Sequence, residues 1–127
     1  MSLAPVRAAD TRRTDTPNAA MTTLASPTLG GTDSLSLWRV AMAAGQQGPL
    51  HIFDTEQIWT VLEGAVSVQT RQGTVELQAG DTLAVPAGIE RQVTAVQDTV
   101  AIVAGDSAAS VFVPGEDAPR GTPPWIA

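Results

Sequence analysis

The sequence predicts an all-β domain, a sandwich or barrel of short antiparallel strands. Three observations carry this expectation. From Pro17 onward, Val-, Thr- and Leu-rich runs of strand length alternate with Gly or Pro punctuation. No segment of helical length keeps apolar residues at i, i+3, i+4 and i+7 between breakers. The chain has 127 residues, 43% of them hydrophobic, which suffices for one buried core and leaves no room for two.

Residues Met1 to about Thr16 are polar, Thr- and Arg-rich and aperiodic, and read as a flexible tail (1–16) ahead of a barrel domain (17–127). Within that domain the candidate strands are Ala19–Leu24, Ser34–Ala43, Gly48–Phe53, Gln57–Leu62 and Ala65–Thr70. They continue with Thr74–Leu77, Thr82–Val85, Arg91–Val96, Val100–Ala104 and Val111–Pro114. Turn signals separate them at Gly30-Gly31, Gly45, Gly64, Gln72-Gly73, Ala79-Gly80, Pro86-Ala87-Gly88, Gly105 and Pro114-Gly115. Many short strands with close turns imply a sandwich or barrel. The end, Thr122-Pro123-Pro124-Trp125-Ile126-Ala127, is stiff and apolar and is expected to dock on the domain.

Charge and composition exclude several functions. The formal charge is −6 and every basic residue is Arg, so a phosphate-binding basic surface is not expected. No apolar run is long enough to span a bilayer. Arg7, Arg12 and Arg13 are followed by no apolar stretch of the kind a secretory signal needs, and read as a solvated tail. The chain has no Cys, hence no disulfide, thiol nucleophile or thiolate site. A cytoplasmic protein is the expectation, with no nucleic-acid or membrane partner.

Strand alternation assigns faces. Trp38, Val40 and Met42 share one face, and Leu35, Leu37, Arg39 and Ala41 the other. His51 and Phe53 point the same way; Gln57, Trp59 and Val61 lie opposite Ile58, Thr60 and Leu62. Apolar residues on both faces suit a jelly roll whose inner face lines the barrel and whose outer face packs on a partner subunit. The outward Ile58 and Leu62, with Ala19–Leu24, predict a homodimer.

The Gly, Pro and His positions also fall into a register. Gly45 is followed after five residues by His51, then by Phe53, Gln57 and Gly64; further on come Gly80, Pro86, Gly88, Arg91 and Ala95. In this pattern, over about Pro17 to Pro114, the chain resembles the cupins, whose motifs are G-x5-H-x-H-x3–4-E-x6-G and G-x5-P-x-G-x2-H-x3-N. The resemblance implies a small RmlC-like cupin, a single jelly-roll barrel of two antiparallel sheets with little or no helix. In metal-binding cupins it also implies three His and one Glu converging on a metal such as Fe, Mn, Ni, Cu or Zn. Those positions here hold His51, Phe53, Gln57 and Arg91. Phe offers no donor atom, Gln is a weak neutral ligand, and Arg carries a charge that repels a divalent ion. Glu56 lies one residue off the Gln57 register and faces away. Neither a tight metal site nor a cofactor is expected.

What remains is a small-molecule pocket with His51, Gln57 and Arg91 among Phe53, Trp59 and Trp38. His51 is the candidate catalytic residue, shuttling a proton near neutral pH. Arg91 is expected to hold a carboxylate or enolate oxygen, and Gln57 to orient a carbonyl or water. Plainer readings stand beside these: His51 as a barrel histidine bonded to a backbone carbonyl, Arg91 paired with Glu90 or Asp54, Trp38 and Trp59 as core aromatics, and Asp81 as a turn residue. Three functions follow. The first is a metal-independent acid–base enzyme (an isomerase, cyclase or dehydratase) acting on a small anionic or carbonyl-containing metabolite. The second is a non-catalytic ligand-binding or sensor module, and the third a metal-dependent, dioxygenase-like cupin.

Overall fold

A computed structural model describes residues 3–127. Its strands are β1 (Arg12–Asp15), β2 (Ala20–Ala25), β3 (Leu35–Met42), β4 (Ile52–Phe53), β5 (Gln57–Glu63) and β6 (Ala65–Thr70). They continue with β7 (Gly73–Gln78), β8 (Thr82–Val85), β9 (Arg91–Ala95), β10 (Thr99–Asp106) and β11 (Val111–Phe112). One 3-10 turn, Ala8–Asp10, precedes them. A six-stranded sheet runs β1-β2-β3-β10-β5-β8 and a three-stranded sheet runs β7-β6-β9, with β4 and β11 paired separately. Every pairing is antiparallel. This is the all-β jelly roll that the alternation predicts. Among the described residues no helix is long and apolar enough to cross a membrane.

The two sheets share one core. Trp38, Val40, Val61 and Val103 from the larger sheet meet Val66, Val68, Leu77, Val93 and Ala95 from the smaller, all of them buried. In β3 the burial alternates strictly over Leu35–Val40, as expected of a strand with one face on the core. The opposite face of the larger sheet leaves Leu35, Leu37, Ile58 and Leu62 exposed.

Three local expectations are corrected. Arg12–Asp15, assigned to the flexible tail, forms β1 and pairs with β2 through the register Arg12↔Thr23 to Asp15↔Ala20. Four residues offer too few alternations to be seen in sequence, and the Arg12 side chain supplies much of the anchoring. Its guanidinium donates to Thr28 Oγ1 (2.9 Å) and to the carbonyls of Pro124 (2.9 Å) and Ala127 (2.8 Å). In Gly48–Phe53 only Ile52–Phe53 is continuous strand. Pro49 has no N–H to give a ladder, and its neighbours make only isolated contacts to β9, Gly48 N–H to the Val93 carbonyl and His51 in one bridge to Arg91. Gly105, read as a turn, lies inside β10.

The end of the chain lies against the larger sheet. Thr23 Oγ1 donates to the Trp125 carbonyl (2.7 Å), the Ser36 hydroxyl donates to that of Ile126, and the Ile126 side chain is fully buried. Burial of one such side chain contributes roughly 2 kcal/mol. At the β5–β6 corner Gly64 has φ +83°, and a Cβ there would lie 2.1 Å from the Asp98 carbonyl oxygen, so only glycine fits.

Candidate functional site

Each candidate side chain is placed by its strand. β3 turns Trp38, Val40 and Met42 inward, β5 does the same for Gln57 and Trp59, and β9 for Arg91 and Val93. His51 stands opposite Arg91, the two exchanging both backbone hydrogen bonds at 3.0 Å. Phe53, two residues on, is on the same side. Between the sheets these residues, Arg91 excepted, wall a cavity of about 270 Å³, lined also by Met21, Val111 and Trp125. All three tryptophans of the chain are in that wall. A larger, more open depression over Gly64, Leu77 and Val96 contains none of the candidate residues.

The polar residues are tied to one another. Arg91 is buried, and its guanidinium donates to Gln57 Oε1 (2.9 Å) and to the Ile89 carbonyl (3.1 Å). Its Cζ lies 4.9 Å from the centre of the Phe53 ring, a cation–π contact. The His51 and Phe53 rings meet edge to face at 5.4 Å. His51 Nδ1 is 2.7 Å from the Pro49 carbonyl oxygen. A carbonyl only accepts, so Nδ1 carries the proton and Nε2 is left as the acceptor. Gln57 Nε2 is buried without a hydrogen-bond partner among the described residues.

Burial sets the charge states. Desolvation lowers the His51 pKa from 6.5 to about 4; the Pro49 carbonyl opposes the shift and the Arg91 charge reinforces it. His51 is therefore neutral at pH 7. Desolvation also pulls Arg91 down to about 10, which leaves it cationic at neutral pH.

Two expected contacts of Arg91 are absent among the described residues. Glu90 pairs with Arg71 instead, and Asp54 Oδ1 accepts the Ser110 N–H at 2.8 Å, so neither carboxylate reaches the buried cation. Nor does Arg91 line the cavity; Gln57, to which it is bonded, does. Asp81 Oδ2 accepts the Gln78 N–H at 2.8 Å across its turn.

Gly105, expected as a turn, and Pro49 both shape the site. A Cβ on Gly105 would lie 3.2 Å from Gln57 Cγ and 3.7 Å from Trp38 Cη2, so this glycine makes room for the glutamine. A glycine inside an apolar strand is the signal that marks such close approaches. Pro49 fixes the imidazole through its carbonyl, a contact with no sequence signature. Trp125 joins the wall from the far end of the chain.

The metal that the cupin resemblance implies does not fit these residues. Phe53 has no donor atom, Gln57 Oε1 is occupied by Arg91, and the Arg91 cation stands where a third ligand would be needed. Glu56 is exposed, and among the described residues no group of three or more His, Asp or Glu side chains is placed to hold a metal ion.

Comparison with known proteins agrees with the architecture. No curated protein sequence matches the chain. Among solved structures, an RmlC-like cupin from Shewanella frigidimarina is similar at 20% identity and TM-score 0.69, covering 83% of this chain and 91% of that one. A cupin-superfamily sugar phosphate isomerase from Silicibacter pomeroyi is similar at 23% identity and TM-score 0.62, covering 76% of this chain and 67% of that one. Salicylate 1,2-dioxygenase from Pseudoaminobacter salicylatoxidans is similar at 22% identity and TM-score 0.69; 83% of this chain is covered, but only 31% of that one. At such identities the likeness is one of fold. The cupin domain family profile matches residues 38–108, more than half of the sequence. With motif register, jelly roll and profile in agreement, the chain belongs to the cupin domain family.

Proposed function

We propose that this cupin binds a small, largely apolar metabolite bearing a carbonyl or anionic group, and that it moves a proton next to that group without a metal. The observation that carries the reading is the contact set His51–Phe53–Arg91–Gln57. At the family's ligand positions Arg91 donates to Gln57 Oε1 and lies against the Phe53 ring, so of the four only His51 Nε2 is left as a good donor atom for an ion. In this reading His51 Nε2 takes the proton, while Gln57 and the Arg91 charge behind it stabilise the oxygen on which negative charge develops. Trp38, Trp59 and Phe53 hold the apolar body and exclude water. Isomerase, cyclase and dehydratase reactions all contain such a step.

A non-catalytic binding module is the second reading, and the low basicity of His51 favours it. The two separate on turnover. An enzyme should convert substrate in metal-free buffer, with His51→Gln lowering kcat by 100-fold or more while leaving binding within a few-fold. Equal turnover by His51→Gln, or activity that disappears with a chelator, would overturn the proposed chemistry.

The exposed row Leu35, Leu37, Ile58 and Leu62 supports self-association through the larger sheet, with a second copy as the partner. Sedimentation at micromolar concentration should give a dimer, and Ile58→Glu a monomer of unchanged circular dichroism. A native monomer would remove this part of the proposal.

A further inference from the structure

The proposed function leaves open which group meets the ligand's oxygen. Arg91, the obvious candidate, is not in the cavity wall, and two of its N–H groups go to Gln57 Oε1 and the Ile89 carbonyl. Gln57 is in the wall. A carboxamide alone can present either end. Here the Arg91 donor holds Oε1 as the acceptor, so Nε2 is necessarily the other end, and it is the buried donor left without a partner. Gly105 leaves the side chain the room to adopt this pose. Such a group is rarely left unpaired in a native fold, so an acceptor belongs beside it. Donation by a cation to Oε1 also polarises the amide and makes its N–H the stronger donor.

We infer that Gln57 Nε2 is the oxygen-binding donor of the cavity, that Arg91 is a positioning residue acting through the Gln57 amide, and that the ligand presents a neutral, ketone-type carbonyl rather than a free carboxylate. The inference rests on the small-molecule reading above and narrows its substrate class. His51, in the same wall, supplies the complementary acceptor through Nε2. A carbonyl compound with an acidic hydrogen or hydroxyl beside the C=O would meet both.

The test uses 2-acetylnaphthalene, with 2-ethylnaphthalene as an apolar analogue of similar shape and 2-naphthoate as the anionic one. Affinities for the full chain are measured by equilibrium dialysis. Gln57→Glu keeps a partner for Arg91 but removes the donor, and should weaken the ketone about tenfold while leaving 2-ethylnaphthalene unchanged. Arg91→Met should produce the same selective loss, and Arg91→Lys, which keeps a charged donor to Oε1, should restore most of it. In the native protein the carbonyl stretch of the bound ketone should fall below its position in a hydrocarbon solvent, a readout that needs no variant. An unshifted stretch, or ketone affinity indifferent to Gln57→Glu, would overturn the assignment while leaving the cavity reading intact. Selective loss with Gln57→Glu but not with Arg91→Met would remove the positioning role. Tighter binding of 2-naphthoate than of the ketone would put Arg91 itself at the ligand and also overturn the assignment. Failure of all three probes to bind would bring down the small-molecule reading, and this inference with it.

Discussion

The triple variant F53H/Q57E/R91H is expected to bind one equivalent of Ni²⁺ or Zn²⁺, with a dissociation constant in the micromolar range or below, and the native chain to bind none tightly. A micromolar constant corresponds to about 8 kcal/mol, the largest effect foreseen for this protein. The expectation follows from placement. His51 and Arg91 are opposed on adjacent backbone and exchange both hydrogen bonds at 3.0 Å, so imidazoles at both positions would lie side by side. Phe53 already packs its ring edge to face with His51 at 5.4 Å, and the Gln57 side chain reaches the Arg91 guanidinium at 2.9 Å. The substitutions remove the cation, add two imidazoles and put a carboxylate where the neutral amide stood, which is the ligand set the cupin motifs imply. Binding is read by elemental analysis after gel filtration, with circular dichroism confirming the native fold. Less than a tenth of an equivalent in a folded variant would mean that the register places these side chains apart, and that the site was never a metal site with altered ligands.

The second large effect is on stability in acid. An imidazole that titrates at 6.5 in the unfolded chain and at about 4 in the folded one binds its proton only in the unfolded chain between those values. Stability therefore rises with pH across this window and is fully present above pH 6.5. It is lost as pH falls toward 4, by roughly 3 kcal/mol for a shift of this size. Urea unfolding at pH 7 and pH 4.5 should show the loss in the native chain. His51→Gln should remove most of that difference while leaving any contribution of the carboxylates in place. A native chain whose denaturation midpoint is flat between pH 7 and 4.5 would mean that His51 is solvated. An enzyme using this histidine as base would likewise show a kcat/KM profile with its acidic limb near pH 4 rather than 6.5.

Much of the architecture was legible because punctuation and alternation agree. β6 and β8 have the bounds read from sequence, since Gly64, the Gly80-Asp81 turn and Pro86 stop the strands there. The inward row Trp38, Val40 and Met42 is buried as the period-2 pattern requires. Other features depend on contacts that no local pattern encodes. β1 is held by pairing with β2 and by Arg12 hydrogen bonds to residues more than a hundred positions away. Alternation gives the face of Arg91 but not its depth. Nothing local shows that its guanidinium is bonded to Gln57 and lies against the Phe53 ring. Gly105 reads as a turn until the Gln57 side chain is seen packed against it.

The measurement that bears most directly on the account is the titration of His51 itself. The chain contains one histidine, so a protein labelled with ¹⁵N at histidine gives a single imidazole whose tautomer and pKa can be read without assignment. The expected result is a proton fixed on Nδ1, where the Pro49 carbonyl accepts it, a midpoint near 4, and no perturbation by an equivalent of Zn²⁺. A midpoint near 6.5 with mixed tautomers, or a spectrum reset by stoichiometric zinc, would contradict a dry, metal-free wall built on a neutral His51.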